Sequence, residues 1–310
     1  MILNKIKDTK VLKGILFVIT GFIIYAIMDA IVKDLSDEFS LSEIIFFNAL
    51  FALFPIVMMA FRMDGGKCLK TTNVKLHLTR GLIMFGATFA AFYGYSQMPL
   101  AEAYAIAFSA PFFISIFSVI FLKEVVGFKR WLAVIVGFIG VMLILKPGPD
   151  QVFSYAAFGP LGAAIGISFG IIIVRYLGRT ESSLSIAFYS NFVILCVAGL
   201  TCLPQFVMPS FVDFIRLSFA GLLCGFADLF IFSAYKRVEG AILAPFQYTQ
   251  ILWGAIVGYI AFGDVPTQDL LLGGSVVIAS GLYIIISEAK LERRRKKRAS
   301  QADIMLVEDR

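Results

Sequence analysis

Few residues in this chain carry chemistry beyond packing, and most of those sit inside apolar runs. Asp228 is the sharpest case, in Cys224-Gly225-Phe226-Ala227-Asp228-Leu229-Phe230, with no Lys or Arg within one helical turn. A carboxylate surrounded by hydrocarbon is costly and must face water, a partner on another helix, or a solute. Asp228 therefore reads as a counter-ion for a cationic solute or as a proton-coupling group, and equally as a structural acid bonded to a neighbouring helix. Asp29 lies in another run with Lys33 four residues on, and an i,i+4 pair accounts for both residues; a solute-facing role for Asp29 stands beside it. Glu102 opens a third run, where a carboxylate complements a helix N-terminus. Arg80, one turn into its run, either snorkels to headgroups or gates across from Glu124 or Glu239.

The amides concentrate in the uncharged segment 241–262. Gln247 and Gln250 lie one turn apart near its middle, with Tyr248 and Trp253 beside them. Pro245 removes a backbone donor just before them, and Pro111 does the same in the segment 102–122. Gly254 and Gly258 form a GxxxG pair that lets a neighbouring helix approach closely. Catalysis finds no footing. The one histidine, His77, has no HExxH setting, no Gly-rich phosphate loop is present, and no Ser has a His partner on its helix face. The chain reads as a non-enzyme without cofactor or metal.

The elements that must hold these residues are membrane helices. The composition is 59% hydrophobic and 15% charged, with mean hydropathy +0.88, where a soluble domain carries about a quarter charged residues. The apolar runs are about twenty residues long, which suits helices and not barrel strands. They fall at 14–32, 43–61, 78–97, 102–122, 131–146, 155–175, 184–203, 216–235, 241–262 and 269–287. The fold class is an all-α integral membrane bundle of ten transmembrane helices. The first span contains Asp29 and lacks a small-x-small cleavage site, so it is retained and not a signal peptide. Cys68, Cys196, Cys202 and Cys224 show no metal spacing, and three of them lie in apolar spans as small buried hydrophobes.

Ten spans put both termini on one side. If that side is cytoplasmic, every one of the 27 Lys and Arg lies there except Lys33, Lys146 and Arg216. The positive-inside rule then holds at every loop. The net charge of +6 is thus topological and not a nucleic-acid signal. Residues 1–13 form a cytoplasmic N-terminus and 289–310 a basic cytoplasmic tail.

The two halves echo each other. A shift of 140 lays 101–122 over 241–262, and a shift of 143 lays Asn48 on Asn191 early in spans 2 and 7. Residues 14–148 and 149–288 therefore read as two repeats of five spans. Five is odd, so the halves are inverted relative to each other, which suits a secondary transporter with a central site open alternately to either side. Pro-interrupted segments in matching spans point to that site.

At these residues the chain resembles the EamA branch of the drug/metabolite transporter superfamily. The resemblance is carried by Arg80-Gly81, Met98-Pro99-Leu100-Ala101-Glu102-Ala103 with Phe108 and Pro111, Leu122-Lys123-Glu124, Trp131, Gly137, Gly140-Val141 and Lys146-Pro147. In the second half it rests on Ala244-Pro245-Phe246-Gln247-Tyr248, Phe262-Gly263-Asp264 and Ser280-Gly281-Leu282-Tyr283, with Asp264 standing where many relatives carry Glu. The resemblance implies a bacterial inner-membrane carrier with a central cavity lined by spans 1, 3, 4, 6, 8 and 9. It implies a small organic solute such as an amino acid, S-adenosylmethionine or riboflavin, with a proton or counter-substrate as candidate coupling partner. Asp228 with Tyr93, Tyr104, Phe226, Tyr248 and Trp253 would suit a flat aromatic or cationic solute through stacking and cation–π contacts. The pattern is nearest to S-adenosylmethionine carriers. A channel and a lipid-modifying enzyme are the readings from other classes.

Overall fold

The computed structural model describes residues 9–123, 127–145, 155–178, 180–238, 243–284 and 286–287. Glu124, Lys146, Arg179, Glu239, the side chain of Pro245, the first eight residues and the basic tail lie outside the described residues. Within them the long elements are α1 (Thr9–Leu35), α2 (Leu41–Asp64), α3 (Val74–Gln97), α4 (Leu100–Ala107), α5 (Ala110–Leu122) and α6 (Phe128–Leu145). The second half contributes α7 (Phe158–Leu177), α8 (Ser183–Cys202), α9 (Phe211–Arg237), α10 (Thr249–Phe262) and α11 (Gln268–Ile284). No strand occurs among the described residues.

Local chemistry sets several of these limits. Ser40, Ser182 and Ser210 accept hydrogen bonds from the backbone N–H of Glu43, Ser185 and Asp213, which caps α2, α8 and α9. Gly65 ends α2 and Gly263 ends α10 at φ of 67° and 72°, a left-handed turn that a side chain would strain. Six segments are long and apolar enough to cross a membrane, with α4 and α5 counted together, and 131–144 and α11 are shorter apolar helices. The segments α3, with Lys75, His77 and Arg80 in its first two turns, and the 14-residue α10 are not among the six. Large apolar side chains face outward all round, Phe54, Ile139, Leu200 and Leu271 among them, which is how a bundle presents itself to lipid and not to water.

The helix pairings exchange the two halves. Helix α1 packs along α9, and α3 packs along α7. In the ten-span numbering expected from the sequence, with α4 and α5 together as the fourth, these are 1 with 8 and 3 with 6, which exchange when each number is replaced by the one five away from it. Span 2 meets its counterpart span 7 (α2 on α8), and span 4 meets span 9 (α4 on α10). Spans 5 and 10 touch at glycines, where a Cβ added at Gly140 would sit 2.9 Å from the Gly273 carbonyl. Asn48 and Asn191, matched in the sequence, stand on the packed pair α2 and α8.

Neither Pro-containing segment is one continuous α-helix over its described residues. The chain leaves α4 at Phe108-Ser109 and restarts as α5 with Pro111 in its first turn. In the second half, Ala244–Tyr248 is a 3-10 turn feeding α10. The buried apolar residues form one extended core and several smaller clusters. At the end that carries Lys33, a continuous core joins Val32, Leu35, Ile44, Phe92, Leu100 and Leu217. At the end that carries Arg237, the buried residues split into separate clusters, one around Ile15, Val18, Ala234 and Leu243 and another around Ile56, Ala60 and Leu184.

Candidate functional site

A cavity of about 470 Å³ lies between the helices, a volume in the range of small-molecule sites. Its wall is drawn from α1, α2, α3, α4, α5, α7, α8, α9 and the two interrupted segments. The breaks matter because backbone that leaves the helical ladder is tolerated at membrane depth only where it lines a cavity or is buried in protein.

Two carboxylates face this space, each with a tyrosine. Tyr25 donates to Asp228 Oδ1 at 2.5 Å, and Tyr104 donates to Asp29 Oδ2 at 2.5 Å. Tyr25 and Asp29 are one turn apart on α1, ~6 Å along its axis. Gln250 bonds the Tyr104 hydroxyl, and Tyr95 packs edge-on against the Tyr104 ring at 5.5 Å. The ring reaches Asp29 because Gly254 leaves room, since a Cβ there would sit 2.5 Å from it. The GxxxG pair thus splits in role, for a Cβ at Gly258 would meet only ordinary contacts at 3.6 Å.

Arg80 comes off α3 and donates through Nη1 to the Ser190 hydroxyl and, at 3.4 Å, to the Ile186 carbonyl of α8. Asn48 and Asn191, matched in the sequence repeat, both line the cavity, as do Gln247, Gln250 and Pro111. Asn191 donates to the Ala187 carbonyl, and Asn48 donates to Met28 Sδ.

Other sequence expectations fall elsewhere in the geometry. Lys33 does not serve as the i,i+4 partner of Asp29. It reaches Asp264 Oδ2 at 2.9 Å and the Met98 carbonyl at 3.2 Å, with its ammonium 4.5 Å from the Phe262 ring centroid. Lys33 sits a turn beyond Asp29 toward the end of α1, where the loop after α10 comes within reach. Tyr248 and Trp253 are not on the cavity wall. Tyr248 packs on Phe108 at 4.9 Å and points its hydroxyl at Gly281 of α11. Phe226 is exposed on the outer face of α9, because it stands half a turn from Asp228. Tyr93 is half-buried outside the wall for the same reason, on the side of α3 away from Phe92 and Tyr95. Glu102 lies beyond the Lys33 end and accepts from Thr267 at 3.3 Å. Arg80 does not snorkel outward. Its sequence partners in a gate, Glu124 and Glu239, are outside the described residues.

Tyr25, Tyr95 and Ser190 belong to the polar wall and are not among the site residues the sequence points to. Tyr25 had a signal, a hydroxyl one turn before Asp29 on the same helix face. Ser190, next to the landmark Asn191, could only be found once α3 and α8 were packed together.

Comparison with known proteins adds a family. The EamA-like transporter family matches residues 12–146 and again 154–287. A protein of Rickettsia prowazekii (strain Madrid E) named S-adenosylmethionine uptake transporter is 30% identical over 280 residues, covering 90% of this chain and 94% of its own. A riboflavin transporter of Vibrio cholerae is 28% identical over 289 residues, covering 92% and 97%. One solved crystal structure shares the fold at a TM-score of 0.62 and 16% identity, covering 91% of this chain and 98% of its own.

Proposed function

The chain belongs to the EamA-like transporter family of the drug/metabolite transporter superfamily, and on that premise we propose that it carries a zwitterionic or cationic organic metabolite across the bacterial inner membrane by alternating access. It is a multi-pass membrane transporter and not an enzyme. The observation that carries the solute class is the cavity itself, whose wall includes both Asp29 and Asp228 and the guanidinium-bearing Arg80. S-adenosylmethionine, with a sulfonium, an amino-acid head and an adenine, suits such a wall, and the Rickettsia relative is named for its uptake.

Ten crossings follow if α4 with α5 is the fourth and the Ala244–Tyr248 turn with α10 the ninth. Residues 14–148 and 149–288 are then the inverted repeats, and the exchange of packing partners between halves supports the inversion. The distribution of Lys and Arg supports a cytoplasmic Arg237 end, with both termini on that side. The continuous core and the Lys33–Asp264 pair then lie on the periplasmic side, so the described conformation is closed outward. Asp29 and Asp228 are the groups suited to carry a coupling proton.

The test is uptake of radiolabelled S-adenosylmethionine into proteoliposomes containing the full chain, with amino acids and riboflavin as competitors. Saturable uptake blocked by unlabelled S-adenosylmethionine supports the reading. Uptake no greater than in empty vesicles for every solute in the panel defeats it. Riboflavin is the second reading, favoured by the aromatic stretch of wall at Phe92, Tyr95 and Phe108 and by the Vibrio relative.

A further inference from the structure

Arg80 is the one Lys or Arg among the described residues of the cavity wall. A guanidinium that merely escaped the membrane would turn its donors toward headgroups. This one is turned inward and pinned to α8 by Nη1 through Ser190 and the Ile186 carbonyl, while its Nε is buried without a partner among the described residues. Nε and a terminal nitrogen form one edge of the guanidinium fork, the edge that takes a carboxylate with two parallel hydrogen bonds. Asp228 is close enough for its charge to act on Arg80, but one of its oxygens already accepts from Tyr25.

The wall is therefore ordered by charge. Arg80 is fifteen residues before Tyr95 on α3, ~22 Å along the axis, and Tyr95 marks the opposite end of the cavity against Tyr104 and Asp29. The cationic side of the site lies toward the Arg237 end and the two acids follow in the direction of Lys33. We propose that Arg80 is the specificity determinant for an anionic group, receiving the carboxylate of a zwitterionic solute whose cationic centre lies against Asp228 and Asp29. This rests on the zwitterion reading above and adds to it a requirement: a cation without the carboxylate is a poor solute.

The experiment compares radiolabelled S-adenosylmethionine with its decarboxylated form, which keeps the sulfonium and adenosine and loses only the carboxylate, in proteoliposomes of the full chain. The wild type should favour the carboxylated compound by roughly ten- to hundredfold in uptake efficiency, the scale of one charge-assisted bidentate contact. Arg80→Gln should erase that preference by raising the half-saturating concentration of the carboxylated compound alone. Arg80→Lys should recover part of it, since the charge stays and the fork is lost. Ser190→Ala should weaken it in the same direction, and with Arg80→Lys it carries the test if Arg80→Gln does not insert. Variants that keep the full preference, or that depress both compounds equally, overturn the assignment of Arg80. A wild type that carries neither compound overturns the zwitterion reading instead.

Discussion

Lys33 Nζ stands 2.9 Å from Asp264 Oδ2, joining the end of α1 to the loop after α10 across 231 positions of sequence. The pair is only partly exposed, at 16% and 25%, and Lys33 also holds the Met98 carbonyl that precedes α4. Three segments from both halves are thus tied at one point, directly beyond the acids of the cavity.

Breaking that tie should open the Lys33 end of the cavity. Asp264→Asn removes a half-buried ion pair worth about 1 kcal/mol, which shifts a two-state equilibrium roughly fivefold. Cys224 is a free thiol on the cavity wall and serves as the reporter. In a variant with Cys68, Cys196 and Cys202 changed to Ser, a membrane-impermeant maleimide added from the side that carries Lys33 should label Cys224 several times faster when Asp264 is Asn. Unchanged labelling would mean that the pair is not what holds this side shut.

Gly254 makes a second, separable prediction. Gly254→Ala places a methyl 2.5 Å from the Tyr104 ring, which must move and so loosen its bond to Asp29. Overpacking of this kind costs ~1–3 kcal/mol, so the melting temperature in detergent should fall and uptake should be lost with it. Gly258→Ala, one turn on, meets its nearest neighbour at 3.6 Å and should leave both unchanged. Equal behaviour of the two variants would return the motif to general helix packing.

This glycine shows what was legible in the sequence and what was not. The helical class, the uncharged runs, the matched asparagines and the interrupted segments could be read because each is a property of one stretch of chain. Asp29, Asp228, Gln247 and Gln250 could be named for the same reason, as polar groups in apolar surroundings. Their partners could not. The bond from Tyr104 to Asp29 spans 75 positions and that from Tyr25 to Asp228 spans 203, and no local spacing encodes either. The same limit misassigned Lys33, whose neighbour in sequence was Asp29 and whose neighbour in space is Asp264. Tyr93, Phe226, Tyr248 and Trp253 were chosen for residue type, and type does not say which side of a helix turns inward.

Substitutions that separate wall from surface test the site directly. Asp228→Asn removes a wall charge while keeping the shape that Tyr25 bonds, so proteoliposome uptake should fall to background with insertion and melting temperature preserved. Gln247→Ala should raise the half-saturating concentration several-fold, on the scale of one neutral hydrogen bond of about 1 kcal/mol. Phe226→Ala, on the outer face of the same helix as Asp228, should stay within about twofold of wild type, as surface changes generally do. Loss of transport in Phe226→Ala with normal transport in Asp228→Asn would invert the assignment of the cavity wall.

The Arg237 end carries its own acid-sensitive contact. Glu181, in the connection between α7 and α8, accepts from Thr71 at 2.6 Å, Asn73 at 3.1 Å and Ser185 at 3.2 Å, and His77 Nε2 lies 3.7 Å away. Burial alone would push the carboxyl up, but the three hydrogen bonds and His77 outweigh it and hold the group below its ordinary value of 4.5. A carboxylate depressed on folding stabilises the folded state above the unfolded value, and that stability drains away as pH falls through the lower folded one. The melting temperature should therefore decline as pH drops from about 5 toward 3, and Glu181→Gln should both lower it at neutral pH and flatten the acid slope. A slope as steep in Glu181→Gln as in the wild type would place the acid sensitivity in another carboxylate and leave this contact a passive link between the loops before α3 and α8.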